Sequence, residues 1–356
     1  MRRLKIQESG YTVYQAGLPG FPRNFTRDGI ISAILAGNAE MLEGQIAFSS
    51  IHQGIKKDSI TGEEPGKIFH EYPGVTIREL STEYNACDTT ALYLIGHRVY
   101  QKLTGDDTLL NRYRNNIARA VNYIIKHLDN RDLFIEDPLF CNADKFSLKV
   151  TYWKDSSIIG RSEGEPCYPV VYPLAHIQNM NALKSAAGML ELGKLAAIAD
   201  RMRGALDYLY DESSGTFYLA LDKEGPICGI SSDALHALFY LETDDLPANK
   251  IKEIVESSKI LETPIGYRTL SPESAGELKS SYHTRTVWPF EQAIIHAGAK
   301  KFALKHVMEV SSRIMPVLDT DPEIFVLEGG QYKKGGCDPQ LWTIAAKEYF
   351  KSKKAF

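Results

Sequence analysis

The sequence is poor in the features that mark membrane, secreted or nucleic-acid-binding proteins. No apolar run approaches the ~20 residues that a membrane-crossing helix needs. The opening MRRLKIQESG has two arginines with no apolar stretch behind them, which argues against a secretory leader. Five cysteines (Cys87, Cys141, Cys167, Cys228 and Cys337) make an odd number without paired spacing, so neither a disulfide framework nor a zinc site is expected. His and Cys are not clustered at ligand spacing, and no metal or cofactor is expected. Reduced thiols fit a cytoplasmic location. The formal charge of −4 is mild and the basic residues are scattered, so the stripe of a nucleic-acid binder is missing. No Pro-, Gly- or Ser-rich stretch is long enough to be a linker, which favours a single domain over residues 1–356. GEEPGK and LEGGQYKKGG carry glycines without a phosphate-loop pattern, and there is no Gly-x-Ser-x-Gly elbow.

What the chain does have is a rhythm of amphipathic helices. TRDGIISAILAGN and AEMLEGQIAFSSIHQGIKK form one pair, with Gly37-Asn38 as the stop between them. CDTTALYLIGHRVYQKLTG pairs with LLNRYRNNIARAVNYIIKHL, and HIQNMNALKSAAGMLEL with GKLAAIADRMRGALDYLYD. SSDALHALFYL and PANKIKEIVESS make a shorter pair, RTVWPFEQAIIHAGA and KKFALKHVMEVSSRIM a fifth, and CDPQLWTIAAKEYFKSK ends the series. Strand-like pieces are few, GTFYLALD at 215–222 being the clearest. Eleven helices in consecutive antiparallel pairs, without a fixed repeat period, predict an all-α fold. The expected form is an (α/α)6 toroid of six helical hairpins, with long loops and a few short strands. A twelfth helix would have to come from the first residues.

The loops between helices are rich in aromatic, acidic and amide residues. FPRNFTRDG carries Arg27 and Asp28, and EPGKIFHEYPG carries His70 and Glu71. STEYNACD carries Tyr84 and Asp88, TYWKDS carries Trp153 and Asp155, and YPLAHIQNMNAL carries His176 and Gln178. SSYHTRTVWPFE carries Tyr282, His283 and Trp288, and the C-terminal loop carries Glu323 and Glu328. A plain loop uses Gly, Asn, Ser and Asp rather than repeated Trp-Asp and Tyr-His pairs. Flat apolar faces beside bidentate acceptors suit a sugar. Each feature alone has a bland reading: Arg27-Asp28 as a surface ion pair, Asp88 as a partner of a helix dipole, Trp153 as core, and His70, His176 and His283 as satisfied partly buried histidines. It is their co-occurrence that points to a carbohydrate site.

Read in order, these segments resemble the amylo-α-1,6-glucosidase domain of glycogen-debranching enzymes and, more loosely, other six-hairpin glycosidases. NFTRDGIIS resembles the Arg-Asp helix start of that family, and GKIFHEY its Gly-x-Ile-Pro-His-Glu loop with Phe69 in place of proline. EYNACDTTALYL resembles its Tyr-Asn-x-x-Asp segment, TYWKDSS its Thr-Trp-Met-Asp-Ala stretch, and HIQNMNALKSAAGM its Glu-(Ile/Val)-Gln…Asn-Ala-Leu helix with His176 for the glutamate. SYHTRTVWPFE resembles its Tyr-His-x-Gly-x-Val-Trp-Pro block, with Arg285 for glycine, and PEIFVLEGGQYKKGGCDPQLWTIAA resembles its ending. The likeness runs from about residue 20 to 348, and the order of motifs carries it.

The resemblance implies an inverting, exo-acting glycoside hydrolase, without cofactor, acting on a small α-glucoside or a short α-1,6-glucosyl branch. It implies Asp88 as the general acid and Glu323 as the base, with Glu328 as the rival base. Arg27, Asp28, His70, Glu71, Tyr84, Trp153, Asp155, Gln178, Tyr282, His283 and Trp288 are then expected to bind the sugar. The family's β-rich and transferase domains are absent from this sequence, which favours a small carbohydrate, for example a glycosyl conjugate of a small acid met by Arg285 or Lys154. The alternatives are a sugar epimerase or lyase using His or Tyr as base, and a non-catalytic carbohydrate-binding protein.

Overall fold

Helices that are buried on every side alternate along the chain with helices that bury one stripe, and this alternation builds two layers. The computed structural model describes residues 1–352 apart from 277 and 279–281. Its helices are α1 (Thr26–Ala36), α2 (Ala39–Ile51), α3 (Thr89–Thr104), α4 (Thr108–Arg112), α5 (Arg114–Lys126), α6 (Pro173–Leu190), α7 (Gly193–Gly204), α8 (Asp233–Ala237), α9 (Ala248–Ser257), α10 (Pro272–Ala275), α11 (Pro289–Lys301), α12 (Lys305–Ser312) and α13 (Leu341–Lys351). In α1 every residue from Thr26 to Leu35 is buried, as a helix surrounded by protein requires. In α5 burial is confined to one stripe, Ile117, Ala120, Val121, Tyr123 and Ile124, as in a helix with one face to water.

The inner helices form a closed ring: α1 packs on α3, α3 on α6, α6 on α8, α8 on α11, α11 on α13, and α13 back on α1. Outside it, α2 backs α1 and α3, α5 backs α3 and α6, α7 backs α6, α9 backs α8, and α12 backs α11. This is a helical toroid, as expected, but its outer layer holds five such helices rather than six. The sequence expectation that the first residues add a helix is corrected. They form an antiparallel sheet of β1 (Lys5–Glu8), β2 (Tyr11–Gly17), β3 (Phe21–Phe25) and β4 (Glu71–Tyr72), with Lys5 opposite Tyr14 and Asn24 opposite Tyr72. β2 leans on α1, α2 and α13, where the missing outer helix would stand. The β1–β2 turn is Ser9-Gly10, both at positive φ (49° and 82°), the backbone that a two-residue hairpin demands.

Other departures are smaller. The span read as one helix, LLNRYRNNIARAVNYIIKHL, breaks at Tyr113 into α4 and α5. SSDALHALFYL is helical only over Asp233–Ala237, and GTFYLALD splits into the strands Thr216–Phe217 and Ala220–Asp222. Near the C-terminus, Thr286–Val287, Ile324–Glu328 and Gln331–Gly335 form a three-stranded sheet with Gly329-Gly330 at the hairpin tip. That sheet joins the Tyr282–Trp288 segment to Glu323. All five cysteines are free thiols, and no helix among the described residues is long and apolar enough to cross a membrane.

The seat of the N-terminal sheet is tight. A Cβ added to Gly44 of α2 would lie 2.2 Å from the Thr12 carbonyl oxygen of β2. Alanine is the better helix former by about 1 kcal/mol, but this contact is with backbone and cannot be relieved by a rotamer. Gly44→Ala is therefore expected to cost about 1–3 kcal/mol, read as a lowered midpoint in chemical denaturation; an unchanged midpoint would show that the sheet is not seated as described.

Candidate active site

The ring concentrates function at one end because several inner helices begin there. Arg27 and Asp28 occupy the first turn of α1, Trp288 directly precedes α11, and Gln340 and Trp342 flank the start of α13. These residues line a cavity that opens to solvent. The walls are aromatic: Trp153, Trp288 and Trp342, with Phe21 and Phe25 from β3 and Tyr282 from the loop before α11. Trp153 meets Trp288 edge-on at 5.8 Å, and Trp288 meets Trp342 at 5.5 Å. The His283 ring stacks on Trp288 at 5.1 Å, and its Nδ1 lies 2.8 Å from Ser156 Oγ.

Among the described residues, three carboxyl groups face this cavity, Asp28, Asp155 and Glu323, together with a single guanidinium, Arg27. The Asp155 side chain is 26% exposed, with Oδ2 at 3.6 Å from Arg27 Nη1 and 3.9 Å from His70 Nε2. Burial pushes its carboxyl up to about 7; Arg27 opposes this, while Asp88 and Glu71 add to it. Asp28 is also raised well above the carboxylate range, by burial first and then by Glu323 and Asp155, against the pull of Arg27. Glu323 is 1% exposed; burial raises its pKa, and hydrogen bonds from the Tyr282 hydroxyl to Oε1 and from the Cys337 N–H to Oε2 (2.8 Å) pull it back. Each oxygen keeps a lone pair free. Gly336 makes room for it: a Cβ there would lie 2.1 Å from Glu323 Oε2, at a φ of 70° that side chains rarely adopt. His70 and His283 are held well below their ordinary pKa, by burial first and then by neighbouring cations, so both rings are neutral.

The cavity brings together Arg27, Asp28, His70, Trp153, Asp155, Tyr282, His283, Trp288 and Glu323 from the residues expected on sequence grounds. It does not include Asp88, Glu71, Tyr84 or Gln178. Asp88 is fully buried behind Arg27, whose Nε and Nη2 donate to its two oxygens at 2.8 and 3.0 Å. Held this way, Asp88 has no opening onto the cavity, unlike Asp155. Glu71 accepts from Arg23 Nε and from the Thr82 hydroxyl. The Tyr84 hydroxyl donates to the His52 carbonyl at 2.7 Å, and Gln178 is buried within α6. Glu328 lies at the hairpin tip, 58% exposed and paired with Lys333 at 2.9 Å, and does not line the cavity. Lys154 is buried against Ser232 Oγ and the Thr269 carbonyl, so it does not await a substrate carboxylate in this cavity. His176 is a satisfied core histidine: Nδ1 accepts from the Phe134 N–H at 3.1 Å and Nε2 faces the Met202 carbonyl at 3.0 Å.

Gln340, Trp342, Phe21 and Phe25 line the cavity without having been singled out in the sequence. For Gln340 and Trp342 a signal existed, since QLW repeats the amide-plus-aromatic pattern of the other loops. Among the described residues, Asp233, His236 and Glu291 offer ligand atoms that all lie within 4.8 Å of one another. The Lys154 ammonium stands 3.1 Å from Asp233 and supplies a cation there already.

No protein-family model and no curated protein matches this sequence. The fold does have solved counterparts. A GH63 mannosylglycerate hydrolase from Thermus thermophilus in complex with Tris superposes with a TM-score of 0.71 at 12% identity, covering 97% of each chain. The same enzyme in complex with glucose gives 0.70 at 12% identity over 96% of each chain. A GH78 rhamnosidase of Bacillus sp. GL1 gives 0.61 at 13% identity over 92% of this chain and 31% of its own length. The chain thus shares the helical-toroid fold of these glycoside hydrolases.

Two measurements follow from the geometry. Asp88→Asn removes the charge that holds buried Arg27, so it is expected to destabilise the fold by about 3 kcal/mol or more, seen as a lower denaturation midpoint; a variant as stable as the parent would contradict the buried pair. All three tryptophans of the chain line the cavity. Titration with a sugar that binds there, detected independently by calorimetry, should therefore change the intrinsic emission saturably, and calorimetric binding with no spectral change would place the ligand elsewhere.

Proposed function

We propose that the protein is an exo-acting glycoside hydrolase of small α-linked hexosides, glucosides or mannosides, working with inversion, with Asp155 as general acid and Glu323 as general base. The observation that carries this reading is the sharing of one aromatic cavity by a carboxyl group with a pKa of about 7 and a second carboxylate held by Tyr282 and the Cys337 N–H. Glycoside cleavage needs one protonated and one ionised carboxyl on opposite sides of the scissile bond. Asp155 keeps its proton near neutrality and gives it to the leaving oxygen as the C1–O bond breaks. A water attacks C1 from the other side and passes a proton to Glu323. Asp28 is the rival acid; in this reading it and Gln340 Nε2, 3.4 Å away, grip sugar hydroxyls instead. The tryptophans offer flat faces to the C–H surfaces of the ring. The fold shared with the GH63 and GH78 hydrolases supports the class.

An epimerase or lyase would need a His or Tyr base. Tyr282 is poorly suited, because burial and Glu323 raise its hydroxyl far above its ordinary pKa.

A reducing-sugar screen over α-glucosides and α-mannosides, with proton NMR of the first-formed anomer, tests the reading. Asp155→Asn and Glu323→Gln should each lower kcat by about 10²-fold or more; wild-type turnover by either variant removes that residue from its role. The kcat/KM profile should fall on the alkaline side near pH 7, where Asp155 loses its proton, and on the acid side as Glu323 gains one, above the ordinary 4.5.

The same shift sets a stability term. A carboxyl with its folded pKa raised from 3.8 to about 7 favours the folded state below pH 4, and this contribution is lost as pH rises through 7. Asp155→Asn should therefore melt several degrees higher than the parent at pH 8 and near it at pH 4. An equal difference at both pH values would refute the raised pKa.

A further inference from the structure

Three consecutive side chains, Tyr152, Trp153 and Lys154, converge on one carboxylate. The Tyr152 hydroxyl donates to Asp233 Oδ2 at 2.9 Å, Trp153 Nε1 donates to Oδ1 at 2.7 Å, and Lys154 Nζ lies 3.1 Å from Oδ1. The Ser231 hydroxyl gives a fourth contact, to Oδ2 at 3.1 Å. Successive side chains of an extended strand point to opposite faces, so three in a row can reach one group only where the backbone bends. The chain does bend over 152–154, and the next residue is Asp155. A carboxylate offers about four acceptor positions, and these four donors fill them, which leaves Asp233 a poor metal ligand.

Asp155 itself is weakly held by its surroundings. Arg27 Nη1 and His70 Nε2 are 3.6 and 3.9 Å from its Oδ2, beyond ordinary hydrogen-bond distance. Its place is therefore set by the backbone that carries it, and that backbone is tied to α8 through Asp233. We propose that Asp233 is a positioning residue for proton donation: it clamps Tyr152, Trp153 and Lys154, and so fixes the reach of Asp155 to the leaving oxygen. This rests on the assignment of Asp155 above.

The test separates proton donation from mere integrity of the fold. Methyl α-glucoside and methyl α-mannoside need an acid: C1–O breaks, the methoxy oxygen takes the Asp155 proton and leaves as methanol, and the attacking water gives its proton to Glu323. The α-glucosyl and α-mannosyl fluorides need none, because C1–F breaks and fluoride leaves with the electron pair unprotonated. Asp233→Asn, which keeps one acceptor oxygen, is expected to lower kcat on the methyl glycoside by about tenfold or more while the fluoride stays within about threefold of the parent. Equal loss on both substrates, or loss on neither, overturns the proposal. Should Asp233→Asn lack the parent's circular dichroism, Tyr152→Phe, which leaves the charge pair intact, is read in the same way, with a smaller loss confined to the methyl glycoside expected and equal loss or none again overturning it. Asp155→Asn is run beside them: if it cleaves the methyl glycoside at the parent rate, the assignment of the acid fails; if it does not, and Asp233→Asn matches the parent, only the positioning role fails.

Discussion

One guanidinium governs the charge of the site. Arg27 is 2% exposed and spends two of its nitrogens on Asp88, a fully buried partner. Isolated buried charges are costly, and this pair satisfies itself through two parallel hydrogen bonds. What remains for the cavity is one nitrogen, 3.6 Å from Asp155. Asp28, Asp155 and Glu323 thus share a site in which the nearest cation is already neutralised. Burial does most to raise Asp155 and Asp28, and the neighbouring carboxylates add to it. Asp88 adds to the shift of Asp155 and holds two nitrogens of the guanidinium that opposes it.

The ring explains why these groups meet at all. Residues 27, 155, 288, 323 and 342 are far apart in the chain, and the closed circuit of inner helices brings the loops and helix starts that carry them to one end. The short C-terminal sheet refines the arrangement. It pairs Thr286–Val287 with Ile324–Glu328, which sets the loop bearing Tyr282 against Glu323. A rigid scaffold with functional groups on its loops is a common division of labour.

The inner helices were legible in the sequence because burial writes itself as apolar density, and the outer ones because a half-buried helix writes a stripe. The cavity was legible as a surplus of aromatic and acidic residues that loops do not need. What the sequence could not separate was Asp88 from Asp155. Both stand a few residues after an aromatic side chain, Tyr84 and Trp153, and the difference lies in Arg27, 61 positions before Asp88, which takes up one and only grazes the other. Asp233 was hidden for the same reason, because its contacts appear only when Trp153, 80 residues earlier, is seen to donate to it. The Ser9-Gly10 hairpin left a signal in the chain, but a weak one: a two-residue turn between short strands that alternate less clearly than the helices repeat.

That hairpin also bears on what the cavity admits. A sixth outer helix could only back the ring, whereas the sheet that stands in its place feeds β3 directly into α1. Phe21 and Phe25 of β3 thereby reach the cavity wall beside Arg27 and Asp28, and Phe25 packs edge-on against His70 at 5.2 Å. The same segment carries Gly17, whose missing side chain leaves space for Gln340: a Cβ there would lie 1.8 Å from Gln340 Oε1. This part of the wall is thus built from strand rather than helix. Strand residues can face the cavity singly, on alternate positions, and this gives the site an aromatic rim without adding the bulk of another helical turn.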